Sequence, residues 1–148
     1  MPVERKKVLM RLEKMERFAG QLRQPASKRY KEFQADVLLQ AATERFLQLA
    51  VETLIDTANY LCSAQGFRRP TSYQDAIRVL GENNILSGSL VTKLQPLVRL
   101  RNQLVHVYWD IDTRRVYRVI TKQLDAFDQF SEQVLRYLDR VVPPRSRR

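Results

Sequence analysis

Apolar residues recur at intervals of three and four along most of the chain, the spacing that lays one stripe along an α-helix. Val8, Leu12, Met15, Phe18 and Leu22 mark a first helix from about Val3 to Gln24, which Pro25 helps to end. Ser27 is the expected N-cap of a second, the longest, reaching about Ala64 with Leu47, Ala50, Leu54, Ala58 and Leu61 inward before Gly66 stops it. A shorter third helix opens at Pro70 and Thr71 or Ser72, buries Tyr73, Ala76, Ile77 and Leu80, and ends at Gly81, after which Asn83 and Asn84 turn the chain. The fourth runs from about Ser87 to Tyr108. Pro96 interrupts it, and its ring predicts a kink or a split. Asp112 is the expected N-cap of a fifth, whose stripe is Val116, Ile120, Leu124, Phe127, Phe130, Val134, Leu138 and Val141.

Short turns between amphipathic helices predict an all-α fold, an up-and-down bundle of four to five helices. The expected organisation is a single domain over residues 1–142 with a disordered basic tail at 143–148. Composition adds little to this picture: 44% hydrophobic and 28% charged residues are ordinary values for a globular chain. No apolar run approaches the roughly 20 residues of a membrane helix, and the first residues are charged throughout, so the expected location is the cytoplasm, away from membranes. The single Cys62 excludes an internal disulfide framework. With only one histidine there is no ligand set for a structural zinc site, and neither a metal nor a cofactor is expected.

Charge changes the picture more. The chain carries 26 Lys and Arg against 16 Asp and Glu, a net charge of +10 that favours a polyanionic partner such as nucleic acid. Arg5, Lys6, Lys7 and Arg11 near the start and Arg145, Arg147 and Arg148 at the end read equally as RNA-backbone contacts and as a solvated surface.

The chemistry gathers in RLRNQLVHVYWDID, residues 99–112, which holds the only histidine and the only tryptophan. Histidine moves protons near neutral pH, arginine forks onto a phosphate, and tyrosine and asparagine supply hydrogen bonds, a set suited to phosphodiester chemistry. Asn102 and His106 lie about 40° apart around a helix, whereas Arg101 and His106 lie about 140° apart. Either the helix is distorted or ends near His106, or Arg101 reaches toward a site shared with a second copy of the chain. Asp56 and Asn59, one turn apart on the second helix, are possible groove residues for RNA, or polar positions satisfied within the bundle.

Arg101-Asn102-Gln103-Leu104-Val105-His106-Val107-Tyr108 resembles the signature of the HepT-like toxins of the HEPN superfamily: Arg, a polar residue, three more, His, any residue, Tyr. ATERFLQLAVETLIDTANYL (42–61), PTSYQDAIRVLGENNIL (70–86) and LRNQLVHVYWDIDTRRVY (100–117) resemble family segments too, so the likeness spans about residues 30–135. It implies a HEPN-like fold and a homodimeric, metal-independent endoribonuclease, restrained by an MNT-type nucleotidyltransferase antitoxin. It also implies that Tyr108 accepts AMP from that antitoxin. On this reading RNA supplies its own 2′-hydroxyl nucleophile, His106 moves the proton, Arg101 steadies the phosphate and Asn102 orients the imidazole. The competing expectation is a non-catalytic helical partner of a nucleotidyltransferase.

Overall fold

The computed structural model describes residues 2–106 and 111–145. Among them the chain forms eight helices: α1 (Arg5–Gln21), α2 (Arg23–Ala26), α3 (Tyr30–Ala35), α4 (Val37–Ala64), α5 (Tyr73–Glu82), α6 (Gly88–His106), α7 (Thr113–Lys122) and α8 (Asp125–Val141). The fold is all-helical, and α1, α4, α6 and α8 are its long members. The Glu4 N–H donates to the Tyr60 hydroxyl at one end of the α1–α4 pair while Arg11 meets Asp56 further along, so these helices run antiparallel. Ser87 meets Gln133 and Lys93 meets Asp125, which sets α6 antiparallel to α8. α5 packs on α4 and α6, while α7 packs on α2 and α3. One continuous cluster of buried side chains joins the helices, with Phe33, Phe127, Phe130 and Met15 among its largest members.

The apolar stripes are inward where the spacing places them, from Val8, Leu12, Met15 and Leu22 to Leu47, Ala50, Leu54, Ala58 and Leu61, all at most 3% exposed. Several boundaries differ from expectation. Pro25 lies buried inside the short α2, and Ser27 is that helix's C-cap rather than the N-cap of the long one. The long helix is broken at Asp36, which adopts extended backbone and accepts the Leu39 N–H on its carboxylate at 2.9 Å. Gln40 closes the other side of the break by donating to the Phe33 and Gln34 carbonyls at 2.9 and 2.7 Å. Both orphaned helix ends are thereby satisfied, which makes a sharp corner affordable without glycine or proline.

The expected fifth helix is likewise two, divided at Gln123 and Leu124. No breaker residue stands there; α7 follows α2 and α3 whereas α8 follows α1 and α6, and packing overrides local propensity. Val141 and Tyr73, expected inside, are each 43% exposed. α6 is continuous through Pro96 rather than split. Asp112 caps α7 as expected, accepting from the Arg114 and Arg115 N–H groups. Gly66, at φ 67°, ends α4 in a left-handed residue, with the Phe67 N–H returning to the Cys62 carbonyl at 3.0 Å. Gly81 lies within α5, and Asn84, at φ 58°, makes the equivalent stop there, with Ile85 N–H on the Leu80 carbonyl at 2.9 Å. Among the described residues no helix is long and apolar enough to cross a membrane. Residues 143–145 follow α8 outside any helix, and the rest of the expected tail, 146–148, lies outside the described residues.

Candidate functional site

Arg101 projects from α6 between α4 and α5, with its side chain only 12% exposed. Its Nε and one terminal nitrogen both donate to Glu52 Oε1, at 3.1 and 2.7 Å, and the other terminal nitrogen donates to Asn102 Oδ1 at 3.1 Å. The guanidinium carbon sits 5.0 Å from the centre of the Tyr73 ring, close enough for a cation–π contact. Of five N–H donors on a guanidinium, three are used and two remain for a ligand. Burial pushes the Glu52 carboxyl up, but hydrogen bonds from Gln48 and Arg101 together outweigh it and hold the group below the usual carboxylate range. Glu52 therefore stays ionised beside Arg101 at neutral pH.

The exposed ring of Tyr73 is fixed by what precedes it. Ser72 caps α5 by accepting the Asp75 N–H, and Arg68 forks onto the Asp75 carboxylate at 2.8 Å while also meeting Glu82. The Arg68 guanidinium, helped by the Thr71 N–H, holds the Asp75 carboxyl well below the usual range. The loop before α5 is thus tied down by charge, and the helix start that carries Tyr73 with it.

A cleft of about 290 Å³ opens at this point, lined by Glu52, Ile55, Asp56, Asn59, Tyr73 and Arg101. It shares Glu52 and Asp56 with the lining of a groove of about 780 Å³ between α1 and α4. Arg101, Asp56 and Asn59, separate in the sequence, are thus brought to one place, with Asp56 also paired to Arg11 at 3.0 Å. Asn102 is tied to Arg101 rather than to His106. His106 is exposed at the last described position of α6 and does not line the cleft. Because α6 is helical up to that point, the two side chains leave it about 140° apart around its axis. Tyr108 and Trp109 lie outside the described residues.

Glu52 and Tyr73 are members of the cleft that sequence reasoning missed. A signal for the first exists: Gln48, Glu52, Asp56 and Asn59 recur at spacings of four, four and three, a polar stripe along the second half of the helix. Nothing in the sequence marks Tyr73 as outward. Cys62 is buried, and burial pushes its thiol up to about 11, so it is an inert core side chain.

A family model described as ribonuclease HepT-like matches residues 8–134. The chain is 32% identical over 103 residues to the mRNA nuclease HepT of Shewanella oneidensis, covering 70% of this chain and 77% of the relative. It is 33% identical over 99 residues to the tRNA nuclease HepT of Aphanizomenon flos-aquae, covering 67% of each. Among solved structures it resembles the tri-AMPylated Shewanella oneidensis HEPN toxin in complex with MNT antitoxin, with a TM-score of 0.80, 27% identity, and coverage of 87% of this chain and 96% of that one.

Proposed function

Because this chain belongs to the HepT-like ribonuclease family, we propose that it is the toxin of a toxin–antitoxin pair, an endoribonuclease that cuts RNA through Arg101 and His106. The observation that carries the residue assignment is the state of Arg101: its side chain 12% exposed, oriented by Glu52, Asn102 and Tyr73, and holding two N–H donors in reserve. A guanidinium fixed in advance on a scaffold loses little freedom when it meets a phosphate, so its stabilisation is available to the transition state. RNA brings its own nucleophile, the 2′-hydroxyl. The protein needs only to take that proton, return one to the leaving 5′-oxygen, and balance the charge that grows on the phosphorus oxygens, and no metal enters these steps.

His106 is the proton-transfer group, exposed where α6 meets residues 107–110. Its separation from Arg101 within one chain supports a cleft built by two copies, His106 of one facing Arg101 of the other across a two-fold axis. Asn102, in this arrangement, orients the guanidinium instead of the imidazole. Asp56 and Asn59 form the wall of the groove on which RNA lies.

The solved relative is AMPylated and bound to an MNT antitoxin. The same control here places AMP on Tyr108, where its phosphate adds negative charge two residues from His106 and competes with RNA for the basic site. The partner is accordingly an MNT-type nucleotidyltransferase antitoxin.

The test is cleavage of a defined RNA by purified protein in EDTA. Wild type is expected to leave 2′,3′-cyclic phosphate ends, and His106→Ala and Arg101→Ala to fall about a hundred- to ten-thousandfold while remaining folded. Wild-type rates in either variant overturn the assignment. Incubation with the antitoxin and ATP is expected to add AMP to the peptide carrying Tyr108, read by mass spectrometry; AMP on another residue alone removes Tyr108 from the scheme.

A further inference from the structure

The cationic charge of this chain is unevenly spent. Ion pairs engage Arg5, Lys7, Arg11, Arg29, Arg68, Lys93 and Arg101. Other cations, such as Lys6, Lys14 and Arg17 of α1, are also outside these pairs, but α1 carries acids among them; α7 gathers Arg114, Arg115, Arg118 and Lys122 in ten residues with no acid, and among the described residues none of the four is in an ion pair. Among the described residues, the acids nearest it in sequence are Asp112, its N-cap, and Asp125, which pairs with Lys93.

Val116, Val119 and Ile120 anchor one face of α7 in the core, which leaves Arg114, Arg118 and Lys122 exposed at successive turns. They form a ridge about 12 Å long. At its start the Arg114 guanidinium lies 4.8 Å over the partly exposed ring of Tyr30, whose centroid is 5.2 Å from that of Tyr117 with the two rings tilted by 60°. Arg115, between the exposed positions, donates to Gln103 Oε1 at 2.6 Å and so ties the ridge to the last turn of α6, three residues before His106. Unpaired cations in a row beside an accessible aromatic ring are the elements of a single-strand platform, in which cations follow the phosphates and a ring takes a base.

We propose that the exposed edge of α7, Arg114, Arg118 and Lys122 with Tyr30 at its start, is a track that holds single-stranded RNA flanking the bond cut beside His106. The inference rests on the ribonuclease reading and adds a place where substrate length is felt. Contacts this far along the strand are the same in ground and transition states, so the track lowers KM for long RNA without changing kcat.

The experiment measures binding separately from cleavage. A labelled single-stranded RNA of about 20 nucleotides is titrated with full-length protein carrying His106→Ala, so that it survives, over a range of salt concentrations. Adding Arg114→Gln, Arg118→Gln and Lys122→Gln is expected to weaken binding at least about tenfold and to flatten the slope of log Kd against log salt by about 2, the loss of three phosphate contacts on a single strand. A control that removes the same charge away from α7, Arg69→Gln, Arg136→Gln and Arg140→Gln, all exposed, is expected to leave the slope unchanged. In the cleaving protein, the α7 triple variant is expected to raise KM on the same RNA with kcat retained. Equal losses in both triple variants, no loss in either, or no RNA binding by the parent overturns the track. So does an α7 variant that keeps RNA affinity but no longer co-purifies with the antitoxin, which makes the ridge a protein dock. If wild type cuts no RNA yet binding still depends on α7, the ribonuclease reading fails and the track stands.

Discussion

Arg101 spends three of its N–H donors on Glu52 and Asn102, and this decides what a substitution at Glu52 does. If the carboxylate is a brace, removing it frees a long side chain to wander, and a displacement of about 1 Å at a phosphate contact costs on the order of a hundredfold in rate. Glu52→Ala is therefore expected to lose about a hundredfold in single-turnover cleavage, and Glu52→Gln, which keeps an acceptor, to lose less. Faster cleavage by Glu52→Ala would mean that the carboxylate shields Arg101 from RNA. The sequence marked Arg101 by its neighbours in the motif, but not the acid forty-nine positions away that orients it. A partner across the bundle leaves no trace in local spacing beyond one polar residue among the several on its helix, and such residues have many uses.

Among elements, the contact between α5 and α6 shows how closely the site's supports are packed. A Cβ on Gly81 would stand 2.8 Å from Val91 Cγ2, inside any normal contact, and a β-branched side chain has few ways to yield. Gly81→Ala is expected to destabilise the protein by about 1–3 kcal/mol in urea denaturation. In a Val91→Ala background the same change is expected to be neutral or to stabilise by up to about 1 kcal/mol, because alanine is the better helix former. Equal effects in both backgrounds would show that the clash is absorbed elsewhere. Helix interiors were legible from the stripes, whereas the corners at Asp36 and Gln123 were not. At Asp36 the side chains of Asp36 and Gln40 satisfy the broken ends, and at Gln123 the change of neighbours bends a chain that has no local reason to stop.

At the scale of the whole molecule the separation of Arg101 from His106 becomes a statement about assembly. In the proposed two-fold cleft, an Arg101→Ala chain and a His106→Ala chain contain between them one complete set of groups. A heterodimer isolated through two different affinity tags is expected to recover about half of the wild-type rate per dimer. A heterodimer as inactive as its parents would place both groups of each site on a single chain. Solution charge belongs to this scale as well: the excess of +10 is spread over the whole surface, and α7 is where exposed cations stand in a row at successive turns of a helix that carries no acid.

The sequence by itself determined the all-helical class, most of the inward stripes, the cap at Asp112, and the family signature at Arg101 and His106, while between Thr71 and Ser72 the structure chose the cap. These depend on periodicities and spacings within one or two turns, where covalent connection dictates geometry. Only the tertiary structure decided that Tyr73 faces outward under a guanidinium, that Glu52 braces Arg101, and that Asp56 and Asn59 share its cleft. Those relations join residues on different helices, and the chain brings them together only once burial of a common core has fixed how the helices lie against one another.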